Sequence, residues 1–157
     1  NYAAVLLGDM YANGQLGEPD YSKAIELYKQ AANNEYGLAM LRLGRTYENG
    51  WYDGCAVMIR RLLETLIVEV FENYKIATKI QNPNGDFYYL SDLISCTLSE
   101  TSWNLSRNSR QSMPKLKTVG DLSAHSRRYN AHKSDIDNII PDLRVVVQEL
   151  LYLAGLK

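Results

Sequence analysis

The sequence predicts an all-α protein: a helix-turn-helix solenoid fragment followed by a four- to five-helix bundle. Three observations predict this class. Apolar residues recur at three- and four-residue spacing through most of the chain. Only four prolines occur in 157 residues, and two-residue alternation is confined to Phe87-Tyr88-Tyr89. A short motif also returns after 36 residues, a period that belongs to stacked helical pairs.

The repeat is read first. "LLGDMYANG" (6–14) and "RLGRTYENG" (42–50) share Leu7/Leu43, Gly8/Gly44, Tyr11/Tyr47 and Gly14/Gly50. Gly8 and Gly44 fall inside helices and point to close helix packing, while Gly14 and Gly50 end their helices, where a positive φ is needed. Between the copies, Asp20 or Ser22 caps a helix whose apolar stripe is Ala24, Leu27, Tyr28, Ala31 and Ala32. The stretch "LGDMYANGQLGEPDYSKAIELYKQAA" closely resembles a Sel1-like repeat, a relative of the tetratricopeptide repeat. The resemblance covers about residues 1–50 and implies a protein-interaction scaffold, with no catalysis. Because a solenoid needs about three repeats, and the chain begins at Asn1 within a patterned helix, further repeats are expected upstream.

The second repeat meets a different kind of helix. "WYDGCAVMIRRLLETLIVEVFENY" carries a stripe of Cys55, Ile59, Leu62, Leu63, Leu66, Ile67, Val70 and Phe71. It is expected to stack on the repeat end and to open a second domain, giving the division 1–50 and 51–157. "QNPNGD" (81–86) is a turn cluster. Tyr89–Leu98 is a short helix with Leu90, Leu93, Ile94 and Leu98 inward. A polar stretch follows, anchored by Trp103 and Leu105. Pro114 is placed in the first turn of a helix through Leu116, Val119 and Ala124. Ser134 or Asp135 caps the last helix, with a stripe of Ile136, Ile139, Ile140, Leu143, Val146, Val147, Leu150 and Leu151. Pro141 within that stripe predicts a kink or restart, and Gly155 ends the helix.

This second part resembles a bacterial helical family allied to the HEPN superfamily. The matching residues are "GCAVMIRRLLETLI", "LKTVGDLSAH" and "DLRVVVQELLYLAGL". HEPN proteins include metal-independent ribonucleases, toxin subunits and non-catalytic partners in bacterial defence systems. The resemblance therefore implies a helical bundle and leaves catalysis open. HEPN nucleases carry an arginine, a spacer of four to six residues and a histidine, and Arg127 with His132 fits with four residues between them. The resemblance then implies that His132 moves the proton of a ribose 2′-OH or leaving oxygen and that Arg127 binds the phosphate. Two departures stand out. Arg128 replaces the polar residue that usually follows the arginine, and the helix boundaries place Arg127 and His132 in a loop rather than at a helix start. His125 is the rival histidine, read as a structural group hydrogen-bonded in the helical core.

Charge is unevenly distributed. The whole chain carries −1, but between Leu105 and Lys133 seven positive side chains oppose Asp121 alone. That segment is +6 and the remainder −7. Arg107, Arg110, Lys115, Lys117 and Arg128 are the candidate phosphate or RNA contacts, and Trp103 and Tyr129 could stack on bases. The competing reading is a solvated surface that pairs with the acidic remainder or with a partner subunit. Asp135 and Asp137 read as helix-capping groups rather than metal ligands. Cys55 and Cys96 lack metal-ligand spacing and read as reduced thiols of a cytoplasmic protein. No cofactor, metal or membrane span is expected. The leading function is a helical interaction module of a larger bacterial protein, binding a protein partner or a second copy of itself. The alternative is a metal-independent ribonuclease or RNA-binding domain acting as a dimer.

Overall fold

The computed structural model describes residues 10–12, 14, 16–20, 22–24, 26–27, 40, 43–44, 47–126 and 128–156. Leu7, Gly8, Tyr28, Ala31, Ala32 and Arg127 lie outside the described residues. Among the described residues, four α-helices are delimited: α1 (Tyr52–Asn73), α2 (Leu90–Ser99), α3 (Arg107–His125) and α4 (Lys133–Leu153), with a 3-10 helix at Ala77–Ile80 between the first two. Among the described residues there is no strand, only a single antiparallel bridge between Gln81 and Phe87. The protein is all-α.

The two repeat copies end in the same way. Gly14 donates its N–H to the Tyr11 carbonyl at 3.3 Å, and Gly50 donates to Tyr47 at 3.1 Å. Their φ angles are 67° and 70°, which only glycine adopts at little cost. The 36-residue offset thus reproduces a turn as well as a motif. Asp20 is the cap of the intervening helix, since its Oδ1 accepts from the Lys23 N–H at 3.0 Å.

Helix α1 is the centre of the bundle and contacts α2, α3 and α4. Every residue of its expected stripe, from Cys55 to Phe71, is fully buried. Met40, Leu43 and Tyr47 of the repeat end pack against the same core, so apolar packing runs from the second repeat into the bundle. Trp103 and Leu105 are buried as expected. Trp103 meets Phe71 edge-to-face at 5.0 Å and donates its Nε1–H to the Thr97 carbonyl at 3.2 Å.

Two helix boundaries differ from expectation. Helix α3 begins at Arg107, not near Pro114, which lies inside it. Its first two turns bury Ser109, Ser112 and Met113. The serines are tolerated because their hydroxyls reach carboxylates of α4: Ser109 bonds Glu149, and Ser112 bonds Asp142 at 2.9 Å. The Ser106 side chain caps the helix by accepting from the Ser109 N–H at 3.2 Å. Helix α4 begins one residue after its cap, His132, so neither Ser134 nor Asp135 is the cap. It runs through Pro141 to Leu153 without a restart. Its end places Gly155 at φ 69°, with Leu156 donating back to Leu151.

The end of α1 has the same hydrogen-bond pattern without a glycine. Lys75 donates to Glu72, Ile76 donates to Phe71, and Lys75 itself sits at φ 58°. A side chain in this left-handed conformation is disfavoured. Lys75→Gly is therefore expected to raise stability by about 0.5–1 kcal/mol, measured by urea unfolding. A loss of stability would show that the Lys75 side chain contributes more than its backbone conformation costs.

Candidate functional site

The segment between α3 and α4 joins three parts of the molecule. Ala131 is buried and donates its N–H to Asp53 Oδ1, in the first turn of α1, at 2.9 Å. His132 then caps α4, and Asp135 Oδ2 reaches back to accept the His132 N–H at 2.8 Å. This bond satisfies a donor that the helix start leaves without an intrahelical partner. Asp137 lies one turn on. Its carboxylate accepts from Lys133 Nζ at 2.7 Å and from the Tyr47 hydroxyl of the repeat end at 2.6 Å. Lys133 and then Tyr47 hold the Asp137 carboxyl below its usual range. Burial, followed by the charge of Asp135, pushes the Tyr129 phenol up.

His132 therefore stands at a helix start rather than in a loop, exposed, with the Asp135 carboxylate on its N–H. Arg127, its proposed partner, lies outside the described residues. His125, expected in the core, is exposed at the last position of α3. The reason is angular. Buried positions 109, 112, 113, 116 and 120 define the inner face, and residue 125 lies roughly 140° away from residue 120 at about 100° per residue.

The basic candidates do not converge. Lys117 pairs with Asp121, and Lys115 Nζ lies 4.0 Å from Asp142. Arg110 is directed at backbone, donating to the Leu98 carbonyl at 2.9 Å and the Leu105 carbonyl at 3.4 Å. Arg107 and Arg128 are exposed. Arg107 and His125 are separated by roughly 27 Å along α3 at about 1.5 Å per residue. Trp103 is buried within its aromatic cluster and offers no face to a base. Lys117 is thus offset within α3, Lys115 lies near an acid of α4, and Arg110 is directed at backbone carbonyls.

A different surface emerges from the fold. The segment between the turn and α2 exposes Phe87 (41%), Tyr88 (37%) and Tyr89 (82%), an apolar cluster rather than isolated side chains. These aromatics line one side of a groove of about 650 Å³. The other side is the outer face of α1, with Arg61, Glu64, Val68, Glu69 and Glu72. Tyr89 and Arg60 continue into a second, shallower depression of about 490 Å³ lined by Lys117, Asp121, Leu122 and His125. Arg60 Nε lies 3.3 Å from Asp121 and 3.7 Å from Glu64, and Arg61 lies 3.5 Å from Glu64. The sequence carried one signal for this site: three adjacent aromatic residues next to a turn, outside any helical stripe.

Comparison with known families identifies the repeat end. Residues 1–36 and 37–55 match the family model described as Sel1 repeat. The second match reaches into the first turn of α1. No curated protein and no solved structure matches the chain. Among the described residues, no helix is long and apolar enough to cross a membrane.

Proposed function

We propose that this chain is a helical protein-interaction module, with a Sel1-like end (1–50) built onto a helical bundle (51–157). It acts as a scaffold within a larger bacterial protein and binds a protein partner or a second copy of itself. The Sel1 repeat match carries this reading, because such repeats are generally protein-interaction modules. The exposed aromatic segment at 87–89 supports it from the bundle side. Reading Cys55 and Cys96 as reduced thiols supports a cytoplasmic setting. A photo-reactive phenylalanine analogue at Trp51, which is 64% exposed beside the repeat end, is expected to cross-link a discrete protein partner in cells. Adducts to nucleic acid alone would overturn the reading.

One observation favours the HEPN-type ribonuclease as a second reading. His132 stands at a helix start, where the resemblance places the nuclease histidine. In that case RNA would be cut with EDTA present, and His132→Ala would stop the cutting while the protein stayed folded. Uncut RNA with the intact chain and any dimer preserved removes this alternative.

A further inference from the structure

We propose that the groove between α1 and the Phe87–Tyr89 segment is a docking site for a basic, lysine- or arginine-bearing segment of a partner protein. This rests on the interaction-module reading above. The charge of the two walls selects the occupant. On α1, Glu64, Glu69 and Glu72 line the groove, against Arg60 and Arg61. Both arginines are within ion-pair distance of acidic side chains, Arg61 of Glu64 and Arg60 of Glu64 and Asp121. Glu72 is exposed at the far end of the groove. The opposite wall offers the rings of Phe87, Tyr88 and Tyr89.

Carboxylates facing aromatic rings suit a cation on an apolar stem. The ammonium or guanidinium is attracted by both the carboxylates and the ring faces, and the methylene stem covers the rings. An acidic segment would meet three glutamates against two arginines that already face acidic side chains, and a neutral one would gain only the apolar part. From Arg60 to Glu72 the groove follows α1 for about 18 Å at about 1.5 Å per residue. That length holds about five extended residues at roughly 3.3 Å each, enough for two cationic side chains on the same side.

The test uses the full chain and two fluorescein-labelled dodecapeptides, one alternating leucine with lysine and one alternating leucine with glutamate. Fluorescence anisotropy is expected to show binding of the lysine peptide only. Tyr89→Ala and Glu72→Lys each alter an exposed side chain and should weaken it by about tenfold. Glu48→Lys makes the same charge change on the repeat end and should alter affinity by less than about twofold. Equal binding of the two peptides, or indifference to Tyr89→Ala and Glu72→Lys, would overturn the proposal. So would concentration-dependent self-association that Tyr89→Ala abolishes, because the occupant would then be a second copy. A protein cross-link from Trp51 alongside a failed peptide titration would remove the groove assignment and leave the interaction module standing.

Discussion

Gly120→Leu is expected to abolish stable folding of the bundle, and Gly120→Ala to cost about 1–2 kcal/mol. Helices α1 and α3 approach so closely at this point that a Cβ on Gly120 would lie 2.8 Å from Arg60 Cβ and 3.0 Å from the Ala56 carbonyl oxygen. Neither atom is the end of a flexible side chain, so the helices themselves must separate. Alanine gains about 1 kcal/mol of helix propensity over glycine, which offsets only part of the strain. Leucine adds three more carbons to a contact that has no room for one. Thermal or urea unfolding measures both changes. An alanine variant more stable than the parent would show that the contact relaxes freely, and that Gly120 is not what fixes the helix approach.

Glu149→Ala is expected to destabilise the protein by about 1–3 kcal/mol, because it leaves a buried hydroxyl without its acceptor. The Glu149 carboxylate accepts from the Ser106 N–H at 2.7 Å, from Ser106 Oγ at 2.8 Å and from the fully buried Ser109 hydroxyl. It thereby ties the start of α3 to α4 and supplies negative charge at a helix N-terminus. Burial raises the Glu149 carboxyl, but the Ser109 and Ser106 hydrogen bonds outweigh it and Arg110 adds to them, so the net direction is downward. Since the folded value is depressed, the stabilisation is fully present above the ordinary value of 4.5 and is lost as pH falls through the folded value. Glu100 behaves in the same sense, held to about 2 by the Lys79 ammonium and then by the Ser102 hydroxyl. Stability should therefore decline on acidification below about pH 4.5, and less so in Glu149→Ala. Identical acid sensitivity in parent and variant would exclude Glu149 as a contributor.

The legible parts of the sequence were those where one physical signal dominated. The α1 stripe reads directly because each inward position is apolar, and all eight named residues are buried. The repeat reads directly because Gly14 and Gly50 are required by backbone conformation. The first turns of α3 were hidden because serines occupy the inward positions 109 and 112. Their burial depends on Glu149 and Asp142, more than 25 residues away in the chain. The basic segment is a related case. A charge count cannot see that Asp142 of α4 lies 4.0 Å from Lys115, or that Arg110 is directed at the Leu98 and Leu105 carbonyls. His125 was misplaced by its position near the end of an amphipathic stretch, although the helix angle turns it outward. The 87–89 groove needed the fold, since its acidic wall comes from α1, more than a dozen residues upstream.

Limited proteolysis of the intact chain tests most directly whether the repeat end and the bundle form one continuous scaffold. Tyr47 bonds Asp137 across the junction, Tyr47 and Tyr52 meet edge-to-face at 6.1 Å, and Met40 and Leu43 join the bundle core. The expected result is no early cleavage between residues 47 and 56, even though Trp51 is exposed. Rapid cutting there, releasing two pieces that each remain folded, would contradict it.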